Sequence, residues 1–227
     1  MRTLLLLTSV VALAACQSTE RAADRAAEGV EDAADATATV ARGAADAVED
    51  AAGMTYSAAA DLFDDDPATT AAAVVRPTTA PNAQAQGTVR FHEMDGGLMV
   101  MVSLSGLAPG RHGIHIHENA ACGRGDADGD GTMEPGGAAG GHWDPLGTMD
   151  HGAATEDLDD KHLGDLGNVT ARADGTAEAS FTIATFPMDQ SVAGHALIVH
   201  SGADDRESDP GGMSGTRVGC GVIEGRM

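Results

Sequence analysis

The sequence predicts a single all-β domain over residues 87–227, preceded by a long segment of different composition. Two hairpin patterns support this. Residues 87–91 and 98–104 flank Asp95-Gly96-Gly97, and residues 168–171 and 179–183 flank Asp174-Gly175; Asp-Gly between apolar runs is typical of tight hairpin turns. The chain has 30 glycines but only one Trp, one Tyr and four Phe. We therefore expect long loops, a core of Val, Ile, Leu and Met, and no substantial helix in this domain.

The first element along the chain is a targeting segment, residues 1–15. Arg2 supplies a positive start, and residues 4–13 form an apolar run that is too short to span a bilayer as a mature helix. Leu13-Ala14-Ala15-Cys16 has the small residues before a cysteine that are typical of a bacterial lipoprotein signal, so Cys16 would carry the lipid. Gln17 is not the aspartate that retains such proteins in the inner membrane. The prediction is a periplasmic protein anchored to the outer membrane; an ordinary secretory signal is the alternative.

Residues 16–76 form the second element, rich in alanine and acidic residues. The pattern at 30–34, VEDAA, returns 18 residues later at 48–52, a shift of about five helical turns. Alanine favours helix, but large apolar side chains are too sparse to build a core. We predict a solvated, partly helical or disordered stalk, with a coiled-coil or envelope-binding role as the alternative. Residues 77–86 contain two prolines and are predicted to be a linker.

The net charge of −22 at pH 7 excludes nucleic acid as the default partner. A protein needs a basic stripe to neutralise phosphates, and this chain has none. The same charge disfavours electrostatic binding to anionic lipids. Solubility and mutual repulsion are its ordinary explanation.

The candidate functional residues are six histidines and one aspartate. They are His115, His117, His142, His151, His162, Asp165 and His200. On a strand, His115 and His117 leave the same face and can bind one ion together, while His162 and Asp165 lie in a glycine-containing turn that can bind a second. Four nitrogens suit copper, and three nitrogens with one oxygen suit tetrahedral zinc. Two four-ligand ions need one shared ligand among these seven residues. Scattered core or surface histidines are the alternative.

The motifs around these residues resemble those of the copper/zinc superoxide dismutases. They are GIHIHE at 113–118, GGHWDP at 140–145, HLGDLGN at 162–168, ALIVH at 196–200 and GTRVGCGVI at 215–223. The resemblance covers about residues 87–225. It implies an eight-stranded antiparallel Greek-key barrel, copper and zinc as cofactors, and an enzyme that converts superoxide anion into dioxygen and hydrogen peroxide. A homodimer is one assembly that the resemblance allows.

The resemblance also implies a role for each site residue. His115, His117, His142 and His200 would bind copper, and His142, His151, His162 and Asp165 would bind zinc, so that His142 bridges the two ions and takes part in catalysis. Arg217 would attract and orient the superoxide anion beside copper. Asp204 would hydrogen-bond one copper histidine and one zinc histidine. His112 would be structural, whereas His92 and His195 fall outside the ligand pattern.

Cysteine usage agrees with an oxidising compartment. Removing Cys16 as the lipid anchor leaves an even pair among the three cysteines. By resemblance Cys122 and Cys220 form an intrasubunit disulfide, which requires an environment such as the periplasm.

Two features depart from many members of the family. Residues 204–210 are acidic, and Lys161 is the only lysine, so we expect weaker electrostatic steering of superoxide. The loop that contains Asp126, Asp128 and Asp130 resembles the first half of a calcium site, but Gly137 stands where the bidentate glutamate is needed. A solvated acidic loop is the alternative to calcium binding.

Two other functions are compatible with parts of the chain. One is a non-catalytic periplasmic lipoprotein that binds copper and zinc on the same barrel. The other is a structural envelope tether, which only the stalk supports.

Overall fold

The computed structural model describes residues 66–187 and 189–226, and within them the chain folds into eight antiparallel strands. The strands are β1 (Ala71–Pro77), β2 (Gln86–Met94), β3 (Gly97–Ser105), β4 (Gly110–His117), β5 (Asp165–Ala171), β6 (Ala177–Ile183), β7 (Ala196–His200) and β8 (Arg217–Gly225). The described residues contain only two short 3-10 helices, Gly137–Ala139 and Leu158–Asp160. No helix in that part of the chain is long and apolar enough to cross a membrane.

The strands form a nearly closed barrel with Greek-key connections, which confirms the predicted fold class. The order is β5-β4-β7-β8-β1-β2-β3-β6. β5 and β6 stand at the two ends of this order, and the turn between them, closed by Arg172 N–H donating to Thr176 O over 2.8 Å, brings the ends together. β4, β5 and β6 follow one another around the barrel, and β7 returns to pair with β4, the first of the three. This arrangement is a Greek key.

The first predicted hairpin is confirmed and the second is corrected. β2 and β3 pair in register from Gln86↔Ser105 to Met94↔Gly97. Only glycine fits at Gly97, because its φ is +134° and a Cβ there would lie 2.2 Å from Ile183 O. β5 and β6 do share the predicted turn, but each pairs outward, with β4 and with β3, rather than with the other. The barrel is open at this seam.

The predicted boundary between stalk, linker and domain is wrong. β1 lies in the part assigned to the stalk and the linker, yet it pairs with both β2 and β8, and Ala73 is opposite Val89 and Ile223. The buried alanines of β1 leave room for the neighbouring side chains, and Ala85, in the predicted linker, is also fully buried. Tertiary packing overrides the helical preference of alanine here. The domain thus includes residues 71–86. The targeting segment and the stalk up to residue 65 lie outside the described residues.

The alternation along β4 separates the core from the site. Ile114 and Ile116 point into the main hydrophobic core, which is built mostly from aliphatic residues as predicted, while His115 and His117 leave the opposite face. Both histidines are nevertheless fully buried. Long loops therefore cover the outer face of the barrel beside β4.

The predicted disulfide between Cys122 and Cys220 is present. It joins the loop after β4 to β8 across 98 residues of sequence. On the chain-entropy model, closing a loop of this length stabilises the fold by about 4–5 kcal/mol. A small cluster of Ala139, Ile198 and neighbouring side chains packs around the disulfide on the outer side of the barrel.

Candidate metal centre

Four buried histidines converge at the end of β4 and β7. His115 and His117 come from β4, and His200 is the last residue of β7. His142 comes from the long loop between β4 and β5, which contacts β4 through an isolated bridge between His117 and His142. Ligand nitrogens of all four side chains lie within 4.8 Å of one another. These are the residues predicted to bind copper.

The hydrogen bonds leave one free nitrogen on three of these rings. His115 Nε2 donates to Asp204 Oδ2 (3.0 Å), His117 Nδ1 to Gly140 O (2.9 Å) and His200 Nδ1 to Gly215 O (3.1 Å). The remaining nitrogens, His115 Nδ1, His117 Nε2 and His200 Nε2, are buried without any partner. A buried polar atom without a partner costs about 1–3 kcal/mol, and a metal ion satisfies such lone pairs. Three of them in one place therefore fit a metal site.

A second set of donors surrounds Asp165, the first residue of β5. His142 Nδ1 lies 2.7 Å from Asp165 Oδ1, His151 Nδ1 lies 3.1 Å from the same oxygen, and His162 Nδ1 lies 3.4 Å from Oδ2. The Nδ1 atoms of His151 and His162 make no hydrogen bond of good geometry. Ligands at 2.0–2.1 Å around a tetrahedral zinc are separated by about 3.3–3.4 Å. The His162 distance matches this separation and the other two are shorter. Four buried donors close together, with two unpartnered nitrogens among them, fit the zinc ion that these residues are predicted to bind.

His142 belongs to both sets of donors. Its Nδ1 faces Asp165, while its ring lies 4.1 Å, centroid to centroid, from the ring of His115 in the other set. A single imidazole has two ring nitrogens, so it can serve one ion on each side. The geometry matches the predicted bridge.

Asp204 links the two sets from behind, as predicted. Oδ2 accepts from His115 Nε2, and Oδ1 accepts from His151 Nε2 over 2.9 Å. Asn168 fixes the backbone of Asp204 with two hydrogen bonds: its Oδ1 accepts from Asp204 N–H (2.8 Å) and its Nδ2 donates to Asp204 O (2.9 Å). No role was predicted for Asn168 from the sequence, although this residue ends the HLGDLGN motif. One carboxylate thus orients a ring in each site.

Burial keeps most of the first set neutral. Burial lowers the pKa of His115, and it lowers the pKa values of His117 and His200 well below the usual value. It also lowers the pKa of His142 to about 3, helped by the nearby His115. Neutral imidazoles are the form that binds metals.

His151 behaves in the opposite way because two carboxylates face it. Burial acts to lower its pKa, but the close contacts with the carboxylates of Asp165 and Asp204 outweigh burial and raise the pKa to about 10. Burial acts to raise the pKa values of the two aspartates, but the contact of Asp165 with His142 and that of Asp204 with His115, together with the His151 contacts, outweigh burial and hold both pKa values below the usual range. Both carboxylates are therefore ionised at neutral pH, which suits a cation.

Arg217, the first residue of β8, lines a pocket of about 500 Å³ together with His117, His142 and His200. Its guanidinium donates to Gly136 O (2.9 Å) and Gly140 O (2.8 Å). Gly140 O also accepts from His117 Nδ1, so one carbonyl group positions the arginine relative to the histidine. The predicted active-site arginine therefore stands beside the predicted copper ligands, on the solvent side.

The pocket is lined by more carboxylates than the acidic segment 204–210 suggested. Glu118, Asp128, Asp144 and Glu134 line it along with Asp209. Asp204 is buried behind the metal ligands. Burial lowers the pKa of Arg217, and Glu134 and Asp128 act in the opposite direction. Negative charge close to the arginine agrees with the expectation of weak anion steering.

Three exposed aspartates, Asp126, Asp128 and Asp130, bring their carboxylates together at the predicted calcium loop. Their oxygens accept backbone N–H groups of Gly129, Gly131 and the neighbouring residues at 2.6–3.1 Å. These turn contacts explain the arrangement without an ion. No observation supports calcium there, and calcium binding stays a prediction.

The other histidines lie outside both donor sets. His112 is buried and its two nitrogens contact the backbone oxygens of His200 (2.8 Å) and Ala108 (2.7 Å), so its role is structural as predicted. His92 contacts Thr69, and His195 contacts Glu118 O. Neither approaches a ligand cluster.

The fold and the two donor sets together define the class: a β-barrel metalloprotein with two adjacent metal sites that share one histidine. Comparison with known proteins identifies the family. The model of copper/zinc superoxide dismutase (SODC) matches residues 85–223. The copper-zinc superoxide dismutase of Haemophilus parainfluenzae is 42% identical over 140 residues, which is 61% of this chain and 73% of that protein. The enzyme of Neisseria meningitidis is 40% identical over the same shares.

A solved structure agrees with the sequence comparisons. The copper/zinc superoxide dismutase from Brucella abortus has a TM-score of 0.57 and 35% identity, and the match covers 67% of this chain and 98% of that one. The chain belongs to the copper/zinc superoxide dismutase family.

Proposed function

We propose that this protein dismutates superoxide with a copper ion held by His115, His117, His142 and His200, beside a zinc ion held by His142, His151, His162 and Asp165. One observation carries the proposal. His117 and His200 each have a buried ring nitrogen without a partner and line a pocket together with Arg217, and His115, with a third such nitrogen, belongs to the same donor set. Membership of the family supports the same activity.

The bound copper would supply one-electron chemistry by alternating between Cu(II) and Cu(I), so that one superoxide is oxidised to dioxygen and a second is reduced. The balanced reaction converts two superoxide anions and two protons into dioxygen and hydrogen peroxide. The protein has to admit a small anion, orient it and deliver protons.

Arg217 binds and orients the anion. Its guanidinium is fixed by two carbonyl groups and faces the pocket next to His117 and His200. A fixed positive charge requires no reorganisation when the anion arrives. His142 lines the same pocket, and its Nε2 is the atom that can take up a proton and pass it to the reduced product while Nδ1 stays on the Asp165 side.

The zinc residues and Asp204 keep His142 and His115 in place. Zinc has no redox chemistry, so its contribution is charge and geometry. Asp204 contacts a histidine from each set. Displacement of either set would therefore disturb the other.

A variant of one copper ligand tests the assignment. His117→Ala removes a nitrogen donor that belongs only to the first set. We expect dismutation to fall to background and copper binding to weaken strongly, with zinc still bound at one per chain. The matched control is His92→Ala, which removes a histidine from β2 outside both clusters and should keep activity and both metals. Full dismutation by His117→Ala would contradict the copper assignment.

We further propose that lipid on Cys16 anchors the enzyme in the periplasm, at the outer membrane. The LAAC motif at 13–16 supports this proposal, and so does the disulfide, since disulfides persist in oxidising compartments. The enzyme would then remove superoxide near the envelope. Superoxide is a charged radical that crosses membranes poorly. A homodimer stays a prediction.

Cys16→Ser tests the anchor. The wild type should sediment with membranes at high salt, where binding driven by charge fails. The variant should be released in soluble form with its dismutase activity intact, because Cys16 lies far in sequence from every site residue. A wild-type protein that is soluble in the periplasm would contradict the lipid anchor and leave an ordinary signal peptide.

A further inference from the structure

Two methionines line the pocket that leads to the candidate copper ligands. Met149 is 77% exposed and Met213 is 80% exposed, and both line the same pocket as His117, His142 and His200. Burial in a core is the usual reason for a methionine in a folded domain. It does not apply to these two, which are the most exposed large apolar side chains among residues 66–187 and 189–226.

The backbone holds both methionines in an unusual conformation. Met149 has φ +62° and Met213 has φ +48°, in the left-handed region that an unbranched bulky residue seldom adopts. Elsewhere in the described chain, only Asn82 and Arg206 share a positive φ among residues other than glycine. Asp144 Oδ2 accepts from Met149 N–H at 3.0 Å and so fixes the turn. Neither the fold nor local propensity explains why methionine occupies these two positions.

The charge of the pocket favours a cation. Glu118, Asp128 and Glu134 line it and are exposed, while its guanidinium group, Arg217, already donates to two carbonyl groups. These carboxylates oppose the approach of superoxide but attract a metal ion that travels to the histidines. Thioether sulfur is a soft ligand that suits the soft ion Cu(I), whereas zinc is only borderline-soft.

We propose that Met149 and Met213 capture Cu(I) at the mouth of the pocket and pass it to His117, His142 and His200. The acidic wall concentrates the cation, the thioethers select its soft form, and the unpartnered imidazole nitrogens bind it finally. The inference rests on the proposed copper site, to which it adds a loading route. It involves no change of oxidation state, because the ion moves between ligands as Cu(I).

The test measures the rate of copper transfer into the zinc-loaded, full-length protein under anaerobic conditions. Cu(I) is presented as its coloured bicinchoninate complex, and the loss of colour reports transfer. The double variant Met149→Leu with Met213→Leu keeps the side-chain size but removes both sulfurs. We expect a several-fold slower transfer with the same final copper stoichiometry. Met94→Leu is the matched control, since Met94 is exposed at the end of β2, away from this pocket, and it should transfer copper at the wild-type rate.

A spectroscopic readout detects the capture directly. Silver ion serves as a stable soft stand-in for Cu(I) and is titrated into protein labelled with ¹³C at the methionine methyl groups. The signals of Met149 and Met213 should shift in the zinc-loaded protein and the signal of Met94 should not. Equal transfer rates for the double variant and the wild type, or no shift of the two signals, would overturn the capture site while leaving the copper site intact. A wild type that takes up no copper at all would overturn both.

Discussion

Removal of the Asp204 carboxylate should weaken both metal sites at once. Asp204 is buried, and its two oxygens accept from His115 Nε2 at 3.0 Å and from His151 Nε2 at 2.9 Å. In Asp204→Ala both N–H groups lose their acceptor in a place where no solvent reaches. Each lost buried acceptor costs about 1–3 kcal/mol, so the pair costs about 2–6 kcal/mol. Loss of such an outer contact typically lowers metal affinity about 10- to 100-fold.

The assay is a competition titration with a chelator for zinc and, separately, for copper. We expect both affinities to fall in Asp204→Ala, because the carboxylate orients one ring of each set. Asp204→Asn should recover little, since the amide presents one oxygen to one ring but its NH2 group faces the N–H of the other. Asp205→Ala is the matched control: the neighbouring carboxylate is exposed and contacts only its own loop, through Glu207 and Ser208. Unchanged affinities in Asp204→Ala would refute the linkage between the two sites.

Two further predictions concern the domain boundary and the zinc set. A chain that begins at Gly87 lacks β1 and leaves the edges of β2 and β8 unpaired, so it should not unfold cooperatively in thermal denaturation followed by circular dichroism. A chain that begins at Asp66 should unfold cooperatively. Cooperative unfolding of the shorter chain would contradict the domain boundary given above. Zinc binding at pH 8 should release close to one proton, because the pKa of His151 is raised to about 10 in the protein alone and the ion replaces that proton. Below about pH 10 zinc affinity should therefore increase as the pH is raised, because fewer His151 side chains carry the competing proton. Calorimetric titrations in buffers of different ionisation enthalpy measure the number of protons released. Release of no proton would contradict the prediction.

The sequence predicted which residues come together in the two donor sets because these residues lie in short motifs. His115 and His117 are two residues apart on a strand, and His162 and Asp165 lie in one turn, so local geometry already pairs them. Contacts between distant segments are harder to predict. Asn168 supports Asp204 across 36 residues of sequence, and no local pattern indicates this.

The same limit explains the errors in the fold. The alanines of β1 look like helix or stalk when taken alone, and only their pairing with β2 and β8 makes them a strand. The turn at Asp174-Gly175 was recognised, but the ladder partners of β5 and β6 depend on how the barrel closes. Barrel closure is a property of all eight strands, so a local hairpin pattern does not determine it.

The charge read from the sequence does not reveal which carboxylates line the pocket. The acidic segment 204–210 and the single lysine indicated weak steering, but not that Glu134 and Asp128 lie near Arg217. The anion must therefore reach Arg217 against local repulsion. A copper ion would, in the loading route proposed above, approach its ligands along an attractive path.

Superoxide decay measured on protein of known metal content is the most direct test of the account. The same preparation of the full-length protein is analysed with zinc alone and with copper and zinc, and decay of a superoxide pulse is followed by stopped-flow absorbance. We predict no catalysis with zinc alone, and decay that increases in proportion to bound copper up to one copper per chain. Protein with both sites filled that leaves superoxide to decay at its spontaneous rate would contradict the account, and favour a metal-binding protein without turnover.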